Sequence, residues 1–240
     1  MRKSLGSQMP SGHVGRLFSL ENKPLQLAAD ESIDPVLKGR IKVIQRRKGY
    51  RFSEDPLHLC KFVRAMPKAR GIDLGTGCGI IALVLVKEQK VGRMVGLELQ
   101  ESLAALAQRN VALNGLMGRI EVRVGDVRRV GELFPPKSFD LAVSNPPYRE
   151  LGRGRLSQSP ERRVAKHEET YSLTDLVRAA NHLLRPQGVF AFCHLEERWG
   201  EIQGVLGRTS LEIRRKESIQ GPKGKATGLM LVEAVRVKEK

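Results

Sequence analysis

Residues 70 to 79 read Arg-Gly-Ile-Asp-Leu-Gly-Thr-Gly-Cys-Gly, and this stretch decides the fold. Its first half, Arg70 to Leu74, is an apolar run of the length of a buried strand. Its second half is glycine-rich, and the apolar run Ile80 to Val86 that follows predicts a helix. In such a strand, loop and helix unit, glycines allow a tight turn, close approach of the backbone to a ligand, and close packing of helix on strand. The stretch therefore predicts an α/β sheet with a ligand at its glycine loop.

The acidic residues around this loop indicate which ligand it binds. The next predicted strand ends at Glu98, 21 residues after Gly77, the offset at which a carboxylate accepts hydrogen bonds from ribose hydroxyls. The GxGxG spacing and the carboxylate of Asp73 before the first glycine both disfavour a dinucleotide, because a carboxylate repels a pyrophosphate and attracts an ammonium. S-adenosylmethionine has an ammonium and no phosphate, so we predict it as the cofactor. The alternative for Asp73 is a strand-end or capping residue.

A second stretch, Ser144-Asn145-Pro146-Pro147-Tyr148, follows the predicted strand Phe139 to Val143. The Asn145 amide can both donate and accept, and the two prolines stiffen the loop and remove N–H donors, so that it presents mainly carbonyl acceptors. Tyr148 adds a flat face for stacking. Acceptors beside an aromatic plane suit a planar group that bears an NH2. Alone, this sequence is typical of a turn that ends a strand; together with the glycine loop it predicts a substrate site.

The chain is strongly basic. Its 240 residues include 42 Lys and Arg against 26 Asp and Glu, which gives a formal net charge of +16 and a pI near 10.2. Such an excess attracts polyanions, so RNA is the predicted partner, although a generally basic protein would share this charge. Two basic loops are the predicted RNA-binding segments, with a mobile solvated loop as the alternative for the first. Their candidate residues are Arg149, Arg153, Arg155, Arg162, Arg163, Lys223 and Lys225.

The remaining composition points to a reduced compartment. The three cysteines, Cys60, Cys78 and Cys193, form no CxxC pair, so we expect neither a disulfide framework nor a zinc site, and we expect no metal. The N-terminus has no apolar segment typical of a signal peptide. No window approaches the ~18 apolar residues of a membrane span. We therefore expect a cytoplasmic protein.

We divide the chain into three parts. Residues 1–35 are predicted to be a basic, flexible arm, and residues 36–67 a hairpin and helix extension of the catalytic domain. In that hairpin, the strand Ile41 to Gln45 is predicted to pair with Tyr50 to Phe52, and Ser53 to cap the helix that follows. Residues 68–240 are the predicted catalytic domain. Its alternating strands and helices predict a doubly wound, seven-stranded, mostly parallel sheet with an antiparallel C-terminal edge strand.

The motifs also carry a resemblance. Asp73 to Gly79, Glu98, Asp126 and Asn145 to Tyr148 together resemble the class I S-adenosylmethionine-dependent methyltransferases, and the Asn-Pro-Pro-Tyr form is similar to enzymes that methylate exocyclic amino or amide nitrogens. More narrowly, residues 49–55 (Gly-Tyr-Arg-Phe-Ser-Glu-Asp) and 165–168 (Ala-Lys-His-Glu) resemble the bacterial family that methylates N6 of an adenine next to the anticodon of a valine tRNA. The resemblance covers about residues 40 to 237 and implies a Rossmann-like methyltransferase fold.

The resemblance also implies roles for individual residues. Asp126 would contact the adenine of the cofactor, with an N-cap as the compatible alternative. Asn145, Pro146, Pro147 and Tyr148 would be catalytic: the Asn145 side-chain oxygen and the Pro146 carbonyl accept the two N6–H groups, while Tyr148 stacks on the flipped base. The implied cofactor contacts are Phe52, Asp55, Asp73, Gly75, Thr76, Gly77, Gly79, Glu98, Leu99, Asp126, Val127 and Asn145.

Several alternatives stay open. A protein methyltransferase acting on the N5 of glutamine would present a similar amide, although it usually carries a helical domain before the glycine loop. Methylation of guanine N2 in rRNA or of adenine N6 in DNA would use the same chemistry, and no separate DNA-reading domain is visible in the sequence. A non-catalytic RNA-binding protein with this fold and a nicotinamide dehydrogenase are the alternatives from other classes. Titration of the protein with S-adenosylmethionine and with a nicotinamide cofactor would separate these two alternatives from a methyltransferase.

Overall fold

The computed structural model describes residues 26–48, 51–146 and 171–237. The strands are β1 (Glu31–Val36), β2 (Ile41–Arg46), β3 (Met66–Leu74), β4 (Val91–Glu98), β5 (Ile120–Val124), β6 (Phe139–Ser144), β7 (Leu184–Leu195), β8 (Leu211–Gln220) and β9 (Ala226–Arg236). The α-helices are α1 (Asp55–Phe62), α2 (Ile80–Lys87), α3 (Glu101–Leu113), α4 (Val130–Leu133), α5 (Leu173–Leu183) and α6 (Trp199–Leu206). Short 3₁₀ turns cover Val127–Arg129, Glu196–Arg198 and Pro222–Gly224.

Seven of these strands form one sheet in the order β5-β4-β3-β6-β7-β9-β8. The first five are parallel to one another, and β9 is antiparallel to both β7 and β8. The predicted seven-stranded, mostly parallel sheet with an antiparallel hairpin at its C-terminal edge is therefore confirmed. Within that hairpin β8 is outermost and β9 lies one position in. The strand order reverses between β3 and β6, which is where open α/β sheets bind ligands.

The sheet is buried on both faces because alternate side chains of its strands enter two different hydrophobic clusters. Leu141 and Val143 of β6 pack in the cluster that contains α2, whereas Ala142 between them packs in the cluster that contains α5. Helix α2 is apolar all round, and its residues from Ile80 to Val86 are all buried. Covered faces and near-continuous apolar strands are what a parallel sheet requires.

The N-terminal hairpin differs from its prediction. β2 pairs antiparallel with β1, from Glu31 opposite Arg46 to Val36 opposite Ile41, and Arg51 and Phe52 lie outside any strand. The prediction that residues 50–52 pair with β2 is therefore wrong. Residues 31–35, at the end of the predicted arm, belong to β1 of this hairpin. The pairing follows from a tight turn in which Leu37 and Lys38 adopt φ values of 51° and 57°, without a typical Asn-Gly signal. Residues 1–25 lie outside the described residues.

The start of α1 also differs in detail. Its N-cap position is Glu54, without a side-chain hydrogen bond, and the Ser53 hydroxyl instead donates to Asp55 Oδ2 at 2.6 Å. Because Pro56 near the helix start has no N–H, one of the donors that a cap would satisfy is missing. The predicted cap at Ser53 is therefore wrong by one residue, while the helix itself is confirmed.

All three cysteines are free and buried. Burial raises the pKa of the Cys78 thiol to about 12, so it stays protonated at neutral pH. Across the ranges that the structure describes, no helix has the length and apolar character to cross a membrane. In the same ranges no cluster of three or more His, Cys, Asp or Glu side chains is arranged to hold a metal ion.

Candidate active site

Four predicted site residues lie at the carboxyl ends of neighbouring strands. Asp73 is in β3, Glu98 ends β4, Asp126 follows β5 and Asn145 follows β6. The strands β5, β4, β3 and β6 are consecutive and parallel, so these ends meet at one edge of the sheet. This edge includes the point of strand-order reversal between β3 and β6, so the topology brings the four residues to the edge where such sheets bind ligands.

The glycine loop between β3 and α2 requires a left-handed backbone at three positions. Gly75, Gly77 and Gly79 have φ values of 78°, 57° and 87°. A Cβ at Gly75 would also lie 2.6 Å from the Tyr171 hydroxyl oxygen, so the position lacks room as well as a favourable φ for any other residue. The N–H groups of Gly75 and Thr76 both donate to the Leu97 carbonyl, at 2.9 and 3.0 Å, which ties the loop to β4.

Asp73 is fully buried beneath this loop. Its Oδ2 accepts a 2.6 Å hydrogen bond from the Thr76 hydroxyl, whereas its Oδ1 has no hydrogen-bond partner among the described residues. Burial raises the pKa of the carboxyl to about 7; the Thr76 hydrogen bond opposes this shift and the charge of Glu98 adds to it. A buried carboxylate oxygen without a donor is costly, so the residue fits a ligand that brings an ammonium. The amino-acid end of S-adenosylmethionine has such a group.

Glu98 is almost entirely buried and accepts one backbone hydrogen bond at each oxygen. Gly77 donates to Oε2 at 2.8 Å and Gln100 donates to Oε1 at 2.9 Å. Burial raises the pKa of this carboxyl, while its backbone hydrogen bonds oppose the shift. A carboxylate has about four lone-pair positions, so two remain after these bonds. The predicted hydrogen bonds from ribose hydroxyls to this carboxylate stay a prediction.

Asp126 is confirmed as an N-cap, because its Oδ1 accepts a 2.8 Å hydrogen bond from the N–H of Arg128 at the start of the 3₁₀ turn. The Arg128 guanidinium also reaches Oδ2 at 2.5 Å, and this hydrogen bond lowers the pKa of the Asp126 carboxyl. The predicted contact with adenine stays a prediction and requires Arg128 to share or leave the carboxylate. Leu99, the residue after Glu98, is 39% exposed, whereas Val127, the residue after Asp126, is buried.

The second motif is described only up to Pro146. The Ser144 hydroxyl donates to the Leu74 carbonyl at 2.7 Å, which holds the end of β6 against the end of β3. Asn145 is partly buried and Pro146 is buried directly after this anchor. The predicted residues Pro147, Tyr148, Arg149, Arg153, Arg155, Arg162 and Arg163 lie outside the described residues, and so does the side chain of Lys223. Lys225 is exposed just before β9.

Phe52 and Asp55 lie at the approach to α1. The Phe52 N–H donates to Gln45 Oε1 at 3.1 Å, and its ring packs against the core cluster that contains Cys78 of the glycine loop. Asp55 is the first residue of α1 and accepts the hydrogen bond from Ser53. Their predicted position beside the methionine end of the cofactor stays a prediction.

Sequence reasoning missed two side chains that support the loop. Tyr171 is 9% exposed and places its hydroxyl 3.5 Å from the Leu74 carbonyl. Asn110 is fully buried on α3 and donates to the Cys78 carbonyl at 3.0 Å. A signal for Asn110 was present, because it interrupts the apolar stripe of α3 and a polar side chain on a buried face needs hydrogen-bond partners. Tyr171 carried no comparable signal.

The sheet order, the glycine loop and the acidic residues at the strand ends together define the class as an α/β domain of the class I methyltransferase type. Residues 57–197 match the family described as "Methyltransferase small domain", and the chain belongs to this family. The TrmN structure from Thermus thermophilus superposes with a TM-score of 0.57 at 22% identity, covering 76% of this chain and 48% of that one. At this identity the likeness supports the fold alone.

Two curated relatives have the same name, "tRNA1(Val) (adenine(37)-N6)-methyltransferase". The protein from Porphyromonas gingivalis is 34% identical over 134 residues, 55% of this chain and 52% of that protein. The protein from Tolumonas auensis is 27% identical over 191 residues, 78% of this chain and 77% of that protein. The chain thus spans about half the length of the Porphyromonas relative and about three quarters of the Tolumonas relative.

Proposed function

We propose that the protein is an S-adenosylmethionine-dependent methyltransferase that modifies N6 of an adenine next to the anticodon of a tRNA. The observation that carries the proposal is the buried Asp73 Oδ1, which has no partner among the described residues and lies at the same sheet edge as Asn145 and Pro146. Asp73 suits the ammonium of the cofactor, whereas Asn145 and Pro146 suit an amino group on a flat base. The names of the two relatives support the choice of tRNA and of N6.

The residues at the strand ends are suited to hold the cofactor. Asp73 would accept from its ammonium, and Glu98 would accept from its ribose hydroxyls through the lone pairs that Gly77 and Gln100 leave open. Leu99 offers an exposed apolar side chain to a flat ring. When bound, S-adenosylmethionine supplies a methyl group on a positively charged sulfur; its transfer to N6 would break the sulfur–methyl bond, leave a neutral thioether and release one N6 proton to solvent.

The second motif would handle the substrate amino group. The lone pair of adenine N6 is delocalised into the ring, so this nitrogen is a weak nucleophile. If the Asn145 side-chain oxygen and the Pro146 carbonyl each accept one N6–H, they favour a more tetrahedral nitrogen and offset the positive charge that builds on it. They also aim its lone pair toward the methyl donor. Tyr148 would stack on the base once it has left its own stack.

The charge of the chain supports RNA as the substrate. With a formal net charge of +16, long-range attraction favours a polyanion, and phosphate contacts would position the RNA without reading its sequence. The basic residues between Arg149 and Arg163, together with the loop around Lys225, are the proposed contacts. A tRNA substrate implies that the protein works in the cytoplasm.

The direct test is incubation of the purified protein with methyl-labelled S-adenosylmethionine and unmodified total tRNA, followed by digestion of the RNA and identification of the labelled nucleoside. Label in N6-methyladenosine is the expected result. Label in a release factor, with none in RNA, would replace the proposal by glutamine methylation. Absence of S-adenosylhomocysteine binding and of any transfer would favour a non-catalytic RNA-binding protein.

A further inference from the structure

Helix α3 presents two asparagine side chains to the backbone of β2. Asn110 Oδ1 accepts from the N–H of Ile44 at 2.6 Å and its Nδ2 donates to the Ile44 carbonyl at 3.1 Å. One turn later, Asn114 Oδ1 accepts from the N–H of Lys42 at 3.0 Å and its Nδ2 donates to the Lys42 carbonyl at 2.7 Å. Each amide thus replaces a peptide group of a neighbouring strand.

The spacing of the two asparagines matches the strand. Four residues rise ~6 Å along an α-helix and two residues rise ~6.6 Å along a strand, so Asn110 and Asn114 meet alternate residues of β2. Lys42 and Ile44 occupy non-hydrogen-bonded positions of the hairpin, where their N–H and C=O groups point away from β1 and toward α3. The N–H and C=O groups of Lys42 and Ile44 are therefore satisfied by α3, and the hairpin is fixed to this helix.

Asn110 makes one further hydrogen bond that Asn114 does not duplicate. Its Nδ2 also donates to the carbonyl of Cys78 at 3.0 Å, and the whole side chain is buried. Cys78 lies between two glycines of the loop, each with a positive φ. A single amide group thus connects the hairpin to the loop that we propose to bind the cofactor.

The glycine loop needs such an external contact. Glycine adopts left-handed and right-handed backbone conformations with similar ease, so three glycines within five residues leave the loop free to change its peptide orientations. The Leu97 carbonyl holds the first part of the loop and the Glu98 carboxylate holds Gly77. Asn110 holds the next carbonyl, that of Cys78.

The hairpin also reaches a second predicted cofactor segment. Gln45, the residue after Ile44, is 4% exposed; its Oε1 accepts from the Phe52 N–H at 3.1 Å and its Nε2 donates to Asp34 Oδ2 at 2.7 Å. The hairpin is therefore connected to the glycine loop through Asn110 and to the approach of α1 through Gln45. Movement of the hairpin would disturb both.

We infer that Asn110 is a positioning residue for cofactor binding, which fixes the Cys78 carbonyl of the glycine loop and makes the geometry of that loop depend on the docked β1–β2 hairpin. The inference rests on the proposed function, because it concerns the same cofactor site. Asn110 acts through the loop and the hairpin and is not assigned a contact with the cofactor.

The chain offers a matched control for the test. Asn110→Asp keeps the shape and the acceptor for Ile44 but loses both N–H donors, while Asn114→Ala removes the contact with Lys42 and leaves the bonds of Asn110 to Ile44 and to the loop in place. We would measure the Kd of S-adenosylhomocysteine by calorimetry, together with the KM values for S-adenosylmethionine and tRNA. For Asn110→Asp we expect Kd and the cofactor KM to rise about tenfold and the tRNA KM to stay within about twofold of wild type. For Asn114→Ala we expect the Kd and both KM values to stay within about twofold of wild type.

Two results would overturn the inference: unchanged cofactor affinity in Asn110→Asp, or equal losses in the two variants. If Asn110→Asp does not fold, hydrogen exchange of the wild-type protein decides instead. The inference then requires S-adenosylhomocysteine to slow exchange of the Lys42 and Ile44 amides, and unchanged exchange in β2 contradicts it. If the wild-type protein does not bind S-adenosylhomocysteine, the proposed function itself fails, which separates the two claims.

Discussion

The Glu98 carboxylate accepts a hydrogen bond of 2.8 Å from the backbone N–H of Gly77, which lies 21 residues earlier in the chain. The other carboxylate oxygen accepts from the N–H of Gln100, at the start of α3. One acidic side chain therefore joins the glycine loop after β3 to the loop after β4, at neighbouring strand ends. We propose that its remaining lone pairs accept from the ribose hydroxyls that the sequence spacing predicts, and such a dual use would make the residue sensitive to substitution.

Replacing Glu98 by Gln is expected to weaken cofactor binding by about tenfold to a hundredfold. The amide NH2 can accept from neither Gly77 nor Gln100, so one backbone donor loses its partner, and a ribose acceptor is lost with it; each such loss costs ~1–3 kcal/mol. Calorimetry with S-adenosylhomocysteine measures the change. Glu101→Gln, at an exposed position in the first turn of α3, is the control and should bind like wild type.

Asp73 is expected to make cofactor binding depend on pH. Its pKa in the folded protein is raised to about 7 by burial, so below pH 7 it is mainly neutral and an ammonium ligand must displace its proton. Affinity for S-adenosylhomocysteine should therefore rise by up to about tenfold per pH unit as the pH increases toward 7 and level off above it. Asp73→Asn should remove this slope and bind weakly throughout. A wild-type Kd that is flat between pH 5.5 and 7 would contradict the assignment.

The same carboxyl predicts the sign of its contribution to stability. Because its folded pKa of about 7 lies above the reference value of 3.8, the unfolded chain loses this proton first as the pH rises. The contribution of Asp73 is fully present below about pH 4 and is lost between about pH 4 and 7. In urea titrations without ligand, Asp73→Asn should therefore gain stability relative to wild type as the pH rises through this window. A constant difference between the two proteins would argue against a raised pKa.

Two glycine substitutions should change stability in opposite directions. A Cβ at Gly96 would lie 2.8 Å from Thr76 Cγ2 and 2.9 Å from Thr76 Oγ1, so Gly96→Ala should destabilise the fold by ~1–3 kcal/mol and displace the partner of Asp73. Gly204 lies within α6, and a Cβ added there would have open space around it to 4 Å, so Gly204→Ala should stabilise by ~0.5–1 kcal/mol. Thermal or urea unfolding measures both changes, and a loss of stability in Gly204→Ala would refute the second.

The parts of the site that could be predicted are those with local signals. The strand, glycine loop and helix from Arg70 to Val86 lie within one short stretch, and the offset from Gly77 to Glu98 is set by a single helix and strand. The pairing of β1 with β2 was missed because Leu37 and Lys38, which are not typical turn residues, adopt positive φ values in the turn and only Gly39 gives a local signal. Asn110 could not be assigned because its partners Ile44 and Cys78 are 66 and 32 residues away.

Asn145→Ala provides the sharpest separation of catalysis from cofactor binding. Asn145 follows Ser144, whose hydroxyl is anchored on the Leu74 carbonyl, so truncation beyond Cβ should leave the strand end in place. If its side-chain oxygen accepts an N6–H, its loss should lower kcat about a hundredfold, the order found when one hydrogen-bonding group that stabilises developing charge is removed. The Kd of S-adenosylhomocysteine should stay within about threefold of wild type. Single-turnover methylation of tRNA measures kcat, and calorimetry measures the Kd.

Ser144→Ala serves as the comparison, because it removes the anchor on the Leu74 carbonyl and keeps the Asn145 amide. It should lower kcat less than Asn145→Ala does. Parallel losses of turnover and cofactor affinity in Asn145→Ala would place the amide in cofactor binding, and the acceptor role would then be withdrawn.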